Sequence, residues 1–371
     1  MKNFHLKNLL LYLIIFHFKN LTPYSPEKSE LANNSKLNLQ QIFIPTNFNL
    51  NYERITSEPT ALLKAARDAL NYFNSKTDKN ITLTKPDKFE IQVLKSKDVK
   101  KTLEFIIETI QQDQKTKKFR ILDPNFINKN FKFIHWTGNK NFLGHANKYI
   151  RLTQYAVFKA RGSYEKQKDY AYPLYAIQNA FFSKNLKDKF SKQEILKGIL
   201  EKTEFKDMVK PLVWLTRNDM EEALMQGSII VQMSDGKTKT FNVDVSNNMK
   251  YNETFLGRLG RFNQKRFWYF KEVGNINGGE EHLKIIKRGD AVFAGNLHSI
   301  GLGKIIAIKY KNTETKNIEM RFGVLADKGA AFANNYNQLD YFVGVFDDMN
   351  QFKKHIKKLP NYVQAFIMVK K

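Results

Sequence analysis

The feature that most constrains this chain is the stretch Arg321–Phe346, in which two runs of apolar β-forming residues flank a polar loop that contains glycine. The first run, Phe322 to Ala326, ends at Asp327, and the second, Leu339 to Phe346, has Asp340 near its start. Such runs predict strands that are buried on both faces or line a barrel. A carboxyl group at the mouth of such a strand is poorly solvated, so we expect its pKa to rise, as a general acid at neutral pH requires. A solvated aspartate that caps a turn is the alternative for either residue.

The composition favours a folded, basic protein. The 371 residues suffice for two domains with real cores, and 42% of them are hydrophobic, with 30 Phe and 16 Tyr. Lys+Arg number 61 against 36 Asp+Glu, a formal charge of +25 that suits nucleic acid, an anionic membrane surface or an acidic cell-wall polymer. A Lys- and Asn-rich composition of an AT-rich genome is the alternative explanation. The lack of cysteine excludes disulfides, thiolate metal sites, a Cys nucleophile and a lipidated N-terminal Cys.

The N-terminal stretch predicts export. Residues 1–20 place Lys2 and Lys7 before the apolar run Leu9–Phe18, which is the pattern of a secretory signal. The run is too short to span a bilayer comfortably, and no small-x-small cleavage site follows it, so an uncleaved anchor stays open, as does a buried core segment. Residues 21–50, rich in Ser, Asn, Pro and Lys, are expected to form a linker.

Three helices and a hairpin are predicted from periodicity and capping. One helix starts at Ser57-Glu58-Pro59 and continues through Phe73, and a second follows Asp98. Ser191 and Glu194 form a capping box for a third. Most of the remaining chain is expected to be β, including a hairpin over 229–243 with an Asp-Gly turn.

Several kinds of chemistry lack their motifs. No two of the seven histidines are spaced i, i+4 and no HExxH occurs, which argues against a zinc hydrolase. The segment Gly301–Lys304 lacks the first glycine of a P-loop, and no GxSxG elbow is present. The aromatic, basic segment Arg266–Lys271 could stack on bases or sugar rings, or form a buried strand with flanking lysines.

Four separated segments, taken in order, carry a family resemblance. They are Leu152–Tyr155 with Tyr172–Tyr175, Trp214–Ser228, Asn247-Asn248 with Leu256–Arg258, and Asn296–Gly303 followed by the stretch described first. Over about residues 55–371 they resemble the membrane-bound lytic murein transglycosylase A family, which carries a three-aspartate (3D) domain. The chain departs from the pattern at Gln154, Asn218 and Ala330, and Asn296 stands where the first of the three aspartates would be.

The resemblance implies a mainly β fold with a few helices, in which a double-psi β-barrel carries an inserted second β domain. Residues 50–150 and 259–371 would form the barrel and 151–258 the insert, with a peptidoglycan glycan strand in the cleft between them. We expect an exported monomer, periplasmic or membrane-associated, that works without a cofactor or metal and does not bind nucleic acid.

The resemblance also implies a reaction. It would be cleavage of the MurNAc-β-1,4-GlcNAc bond, with the MurNAc 6-hydroxyl closing to a 1,6-anhydro product. Because an intramolecular hydroxyl replaces water, one acid/base can suffice where ordinary glycosidases use two carboxylates. The family's catalytic aspartate maps onto Asp340 and its supporting aspartate onto Asp327. The candidate sugar contacts are Thr153, Tyr155, Gln226, Ser228 and Asn248.

Two other functions stay open. One is a cell-wall glycan-binding protein of the same fold, in which the missing aspartate and the altered loop disable cleavage. A desolvated Asp340 that faces a cleft favours catalysis, and a solvent-exposed one favours binding alone. The other is a cytoplasmic nucleic-acid binder, drawn from the charge and from Arg266–Lys271, although no base-recognition motif supports it.

Overall fold

The structure is a computed structural model that describes most of the chain after residue 41. The described residues are 42–74, 94–140, 146–178, 184, 186, 188–250, 253–254, 257–258, 260–274, 289–327, 332 and 335–371. The signal or anchor predicted for residues 1–20 lies outside them, as does the expected linker before residue 42. Within these ranges, no helix has the length and apolar character needed to cross a membrane.

Helices and strands alternate irregularly along the chain. The helices are α1 (Pro59–Asn74), α2 (Ser96–Gln114), α3 (Pro124–Asn130), α4 (Lys192–Leu196), α5 (Thr203–Lys206), α6 (Arg217–Gln226), α7 (Leu297–Ile300) and α8 (Met349–Ile356). The strands are β1 (Phe43–Thr46), β2 (Arg54–Ile55), β3 (Phe131–Trp136), β4 (Gly138–Lys140), β5 (Ala146–Asn147), β6 (Ile150–Gly162), β7 (Tyr172–Ile177), β8 (Val209–Leu215), β9 (Ser228–Met233), β10 (Thr238–Ser246), β11 (Glu253–Thr254), β12 (Gly257–Arg258), β13 (Trp268–Val273), β14 (Val292–Ala294), β15 (Ile305–Lys311), β16 (Ile318–Asp327), β17 (Gln338–Phe346) and β18 (Tyr362–Lys370).

Six of these strands close into a ring. Neighbours pair in the order β18, β15, β16, β14, β17 and β6, and β6 pairs back onto β18. The pairs β14–β16 and β17–β6 are parallel, and the others are antiparallel. The predicted mainly β architecture with a few helices is therefore confirmed, while the double-psi connectivity stays a prediction.

Both strands predicted from the stretch Arg321–Phe346 are present, as β16 and β17. They lie on opposite sides of β14 in the ring. β16 is buried from Glu319 to Asp327, as the unbroken apolar run predicts. A Cβ at Gly323 would lie 2.8 Å from the Phe293 ring and 3.0 Å from the Ala291 backbone, so β14 can approach β16 closely only because this residue is glycine.

The two long helices pack against the ring. α1 contacts β16 and α2, and α2 contacts β18. Their apolar stripes are buried as the helical periodicity predicts. The start of α1 differs from the prediction in one detail. Glu58 accepts hydrogen bonds from the backbone N–H groups of Thr60 and Ala61, whereas the hydroxyl of Ser57 accepts from Phe322 N at 2.7 Å.

Residues 42–50 are not a linker. Ile42, Phe43 and Leu50 are buried, and β1 pairs with β3 at the edge of the ring. The apolar Ile42–Ile44 run supplies the burial that a linker lacks, and the Ser/Asn/Pro composition around it concealed this signal.

The described residues between 160 and 273 include two apolar clusters separate from the core of the ring. β6 leaves the ring and continues into a sheet with β9, β10 and β13. The hairpin predicted over 229–243 is formed by β9 and β10. β13 belongs to these clusters, and Phe267, Tyr269 and Phe270 are at most 1% exposed. The aromatic segment Arg266–Lys271 is therefore the buried strand and not a stacking platform.

The buried Lys304 generates a prediction about stability. It follows the turn between α7 and β15, and burial lowers its pKa from the ordinary value to about 7. Its Nζ lies 3.4 Å from the Gly301 carbonyl oxygen. Because the unfolded state binds more protons than the folded state between pH 7 and about 10.4, stability rises with pH in that window.

We expect Lys304→Met to raise the midpoint of thermal unfolding at pH 7. The gain should shrink as the pH rises toward 10.4, by up to about 1.4 kcal/mol per pH unit, because folding of the wild type must release the Lys304 proton and this release costs less at higher pH. The control is Lys311→Met, at the exposed end of β15, the strand that follows Lys304, and this variant should change little at any pH. A loss of stability in Lys304→Met at pH 7, or a gain independent of pH, would contradict the assignment.

Candidate active site

The two aspartates predicted from the sequence lie on either side of one short strand. Ala294, the last residue of β14, pairs with Asp327 of β16 and with Asp340 of β17. Neighbouring strands are 4.7–4.9 Å apart, so the two aspartate Cα atoms are separated by about 10 Å. β14, β16 and β17 therefore bring both aspartates to one edge of the ring.

A β-bulge selects which residue of β16 reaches this position. Phe293 pairs with Leu325, yet the next residue, Ala294, pairs with Asp327, so Ala326 is the extra residue. Bulges change the direction of side chains and are frequent next to active sites. Gly295 N donates to the Asp327 carbonyl oxygen at 3.1 Å, which fixes the chain as it leaves β14.

The two carboxyl groups differ in environment. Asp327 is 2% exposed. Asp340 is half-buried, and its Oδ1 atom has almost no solvent contact. On its other side Asp340 pairs with Thr153 of β6. Asp327 is thus closed to solvent and Asp340 is partly open. Asp340 is the residue to which the resemblance assigns catalysis.

Thr153 is held beside Asp340 by hydrogen bonds. Its Oγ1 accepts from Gln338 Nε2 at 2.8 Å and donates to the Leu339 carbonyl oxygen at 3.4 Å. Gln338 in turn accepts from Asn335 Nδ2 at 3.2 Å. Sequence reasoning missed Gln338, although its place two residues before Asp340 on the same strand face was the signal that could have found it.

Tyr155 supports Asp327. Its hydroxyl donates to Asp327 Oδ2 at 2.5 Å, and its ring packs 5.1 Å from that of Phe342. Burial, followed by the charge and hydrogen bond of Asp327 and the charge of Asp340, raises the pKa of Tyr155 well above its usual value. The phenol therefore stays neutral and donates, and its hydroxyl is already used by the protein at the position expected to contact sugar.

Gln226 and Ser228 lie where α6 meets the site. Gln226 Oε1 accepts from Ala156 N at 3.1 Å, which joins the end of α6 to β6 one residue after Tyr155. Gly227 ends the helix with a positive φ of 77°, a conformation that favours glycine. Ser228 is 1% exposed at the start of β9, whereas Gln226 is half-buried.

Asn248 lies in a turn after β10, where its contacts are with other residues of that region. Its Nδ2 donates to both carboxylate oxygens of Asp188 at 2.9 and 3.0 Å. The adjacent Asn247 is fully buried, accepts from Phe267 N at 2.9 Å and donates to the Phe190 carbonyl oxygen at 2.8 Å. The Asn-Asn segment therefore shapes this turn, and the structure joins it to Asp188 and not to the strand-end aspartates.

Asn296 lies at the same edge of the ring as the aspartates. It is two residues after Ala294 and 4% exposed, and its carbonyl oxygen accepts from Ile300 N at 3.0 Å. The edge thus holds two carboxyl groups and one neutral amide where the resemblance implies three aspartates. Residues 328–331 of the loop motif lie outside the described residues. In the described part of the chain, no three His, Asp or Glu side chains are grouped as metal ligands would be.

Solved structures share this fold. E. coli MltA with bound chitohexaose is 14% identical, with a TM-score of 0.59, and the match covers 94% of this chain and 99% of that one. A membrane-bound lytic murein transglycosylase from Agrobacterium tumefaciens is 12% identical, with a TM-score of 0.56 and coverages of 86% and 97%. MltA from Neisseria gonorrhoeae is 13% identical, with a TM-score of 0.53 and coverages of 89% and 96%.

Comparisons of the sequence alone find no match. No family model matches it, and no curated protein matches it. Since the structural matches are all below 25% identity, they establish the fold alone. The resemblance inferred from the four segments is confirmed at that level.

We expect Tyr155→Phe to lower the free energy of unfolding by about 1–3 kcal/mol, because the buried Asp327 carboxylate loses a hydrogen-bond donor. The matched control is Tyr175→Phe. Its hydroxyl is also buried, but it has no hydrogen-bond partner among the described residues, so its removal should be neutral or slightly stabilising. Urea denaturation of both variants measures the difference, and equal losses would show that the Tyr155–Asp327 bond contributes nothing specific.

Proposed function

We propose that this protein is a lytic transglycosylase that cleaves the glycan strands of peptidoglycan. The observation that carries the proposal is the pairing of Ala294 with both Asp327 and Asp340, in a chain with the fold of known lytic transglycosylases. The motif match assigns the catalytic role to Asp340, the more open of the two carboxyl groups.

In the proposed reaction Asp340 acts first as an acid and then as a base. It donates its proton to the glycosidic oxygen as the MurNAc C1–O bond of the β-1,4 linkage breaks. The resulting carboxylate takes the proton of the MurNAc 6-hydroxyl as that oxygen bonds to C1. This step gives a 1,6-anhydro product and returns Asp340 to its protonated form, so no water is consumed.

The environments of the two carboxyl groups support a division of roles. Asp327 is closed to solvent and its Oδ2 accepts a hydrogen bond from the Tyr155 hydroxyl, so it is fixed within the protein. Asp340 is the more open carboxyl group, and a ligand can reach it. Asp340 would therefore carry the proton to and from the sugar, while Asp327 would be its fixed neighbour.

The alternative is a cell-wall glycan-binding protein of the same fold that does not cleave. Asn296 favours it, because a neutral amide stands where the resemblance implies a third aspartate. Peptidoglycan lies outside the cytoplasm, so both proposals include export, with residues 1–20 as the signal or anchor and a periplasmic or membrane-associated location.

Product analysis tests the reaction. Incubation of the purified chain with peptidoglycan should release 1,6-anhydro muropeptides, which mass spectrometry identifies by the absence of one water relative to the hydrolysis product. Products with reducing ends would indicate a hydrolase. Binding to peptidoglycan without any release would favour the non-catalytic alternative.

Replacement of the proposed acid tests the residue. Asp340→Asn should abolish release, because an amide cannot donate and reclaim the proton, while the unfolding midpoint should change little. The control is Asp347→Asn, just beyond the end of β17. Asp347 Oδ1 forms an exposed ion pair with Lys159 Nζ at 2.9 Å. Because exposed ion pairs contribute little to stability, this variant should stay folded and retain activity. Undiminished turnover in Asp340→Asn would remove Asp340 from the mechanism.

A further inference from the structure

A charged contact holds the chain where it enters the short strand β14. Asp290, two residues before that strand, accepts a hydrogen bond at Oδ1 from Arg321 Nη1 of β16 at 3.1 Å. The same oxygen lies 3.4 Å from His355 Nε2 of α8. Burial alone would raise the pKa of Asp290, but the His355 hydrogen bond and the Arg321 charge hold it below its usual value. The carboxylate therefore stays charged at neutral pH.

Arg321 is fixed by further contacts of its own. It is 6% exposed, its Nε donates to the Tyr310 hydroxyl of β15 at 2.8 Å, and its Nη1 lies 3.5 Å from the Tyr341 hydroxyl of β17. The Tyr310 hydroxyl in turn donates to Glu319 Oε2 at 2.9 Å. A guanidinium is a planar group whose donors point in set directions. The Asp290 carboxylate is thus held against a rigid group that touches three strands of the ring.

The backbone at Asp290 also depends on its surroundings. Its φ is 58°, a left-handed conformation that is costly for residues other than glycine and persists where the structure holds it. Its N–H donates to the Phe342 carbonyl oxygen at 2.9 Å, and the Ala291 carbonyl oxygen accepts from Val324 N at 2.8 Å. Ala294, the common partner of the two candidate aspartates, is four residues after Asp290, about 13 Å along the strand.

We propose that Asp290 and Arg321 are positioning residues whose contact sets where β14 lies between β16 and β17, and thereby how Asp340 is presented to the substrate. The catalytic consequence rests on the proposed function. Neither residue contacts the glycan, and both act through β14. A three-residue strand has few ladder hydrogen bonds of its own, so loss of the contact at one end loosens its pairing at the other.

Hydrogen exchange at single amides tests whether the contact orders β14. Asp290→Asn removes the charge but keeps the size, and asparagine tolerates the left-handed backbone. Selective isotope labelling of glycine lets NMR follow the Gly295 N–H, which donates to the Asp327 carbonyl oxygen across β14 and β16. The internal reference is the Gly303 N–H, which donates to the Leu325 carbonyl oxygen at 2.8 Å without involving β14. Exchange at Gly295 should rise about tenfold or more relative to Gly303, as expected for the loss of a charged hydrogen bond.

The chain offers a matched control in a second aspartate–arginine pair. Asp113 is 5% exposed, and its Oδ1 accepts from Arg120 Nε at 2.7 Å, beside α2 and away from β14. Asp113→Asn and Asp290→Asn should both lower the unfolding midpoint, because each leaves a buried ion pair incomplete. Only Asp290→Asn should raise the Gly295 rate relative to Gly303. If Asp290→Asn does not fold, His355→Ala decides instead, with an expected rise of about twofold or more.

Kinetics test the consequence for the reaction. In Asp290→Asn, kcat for release of anhydro products should fall about tenfold or more while KM changes less than about twofold, because a misplaced acid slows the chemistry without weakening the binding of the strand. Asp113→Asn should leave both constants unchanged per folded molecule.

The outcomes separate this inference from the proposed function. If Asp290→Asn leaves the Gly295 rate unchanged relative to Gly303, or if Asp113→Asn raises it equally, the contact does not order β14 and the inference is wrong. A raised rate with an unchanged kcat overturns the positioning role. Failure of the proposed function is recognised by the absence of anhydro products from the wild-type chain, and exchange at Gly295 then still decides whether the contact orders β14.

Discussion

The site depends on the pairing of one three-residue strand, β14, with β16 on one side and β17 on the other. The carboxyl groups share an edge because Ala294 is the partner of both Asp327 and Asp340. A strand this short has few ladder hydrogen bonds, so packing must hold it. Val292 and Phe293 are fully buried, and the Phe293 ring stacks on Tyr341 of β17 at 4.8 Å. The close approach at Gly323 completes the fit, and any larger residue there would push β14 away from Asp327.

Local signals in the sequence predicted many of the elements but not how they pair. Helical spacing and capping identified α1, α2 and α4, and apolar runs identified β16 and β17, because these signals lie within a few residues of one another. The register that joins Asp340 to Ala294, and the bulge at Ala326, depend on contacts between distant segments, which no local pattern encodes. Ser57 shows the same limit, since its hydroxyl binds β16 and not the helix it precedes.

The sequence predicted where the two candidate aspartates lie, but it predicted their surroundings less well. Apolar runs placed Asp327 at the end of one strand and Asp340 near the start of another, and the structure has both there. The environment of an aromatic residue depends instead on distant segments that cover it. Tyr155 was expected to contact sugar, but it is 8% exposed, its ring packs against Phe342 of β17, and its hydroxyl donates to Asp327. α6 itself was missed, although Thr216 accepts from Asp219 N as an ordinary N-cap, because the segment was interpreted as a motif and not as a helix start.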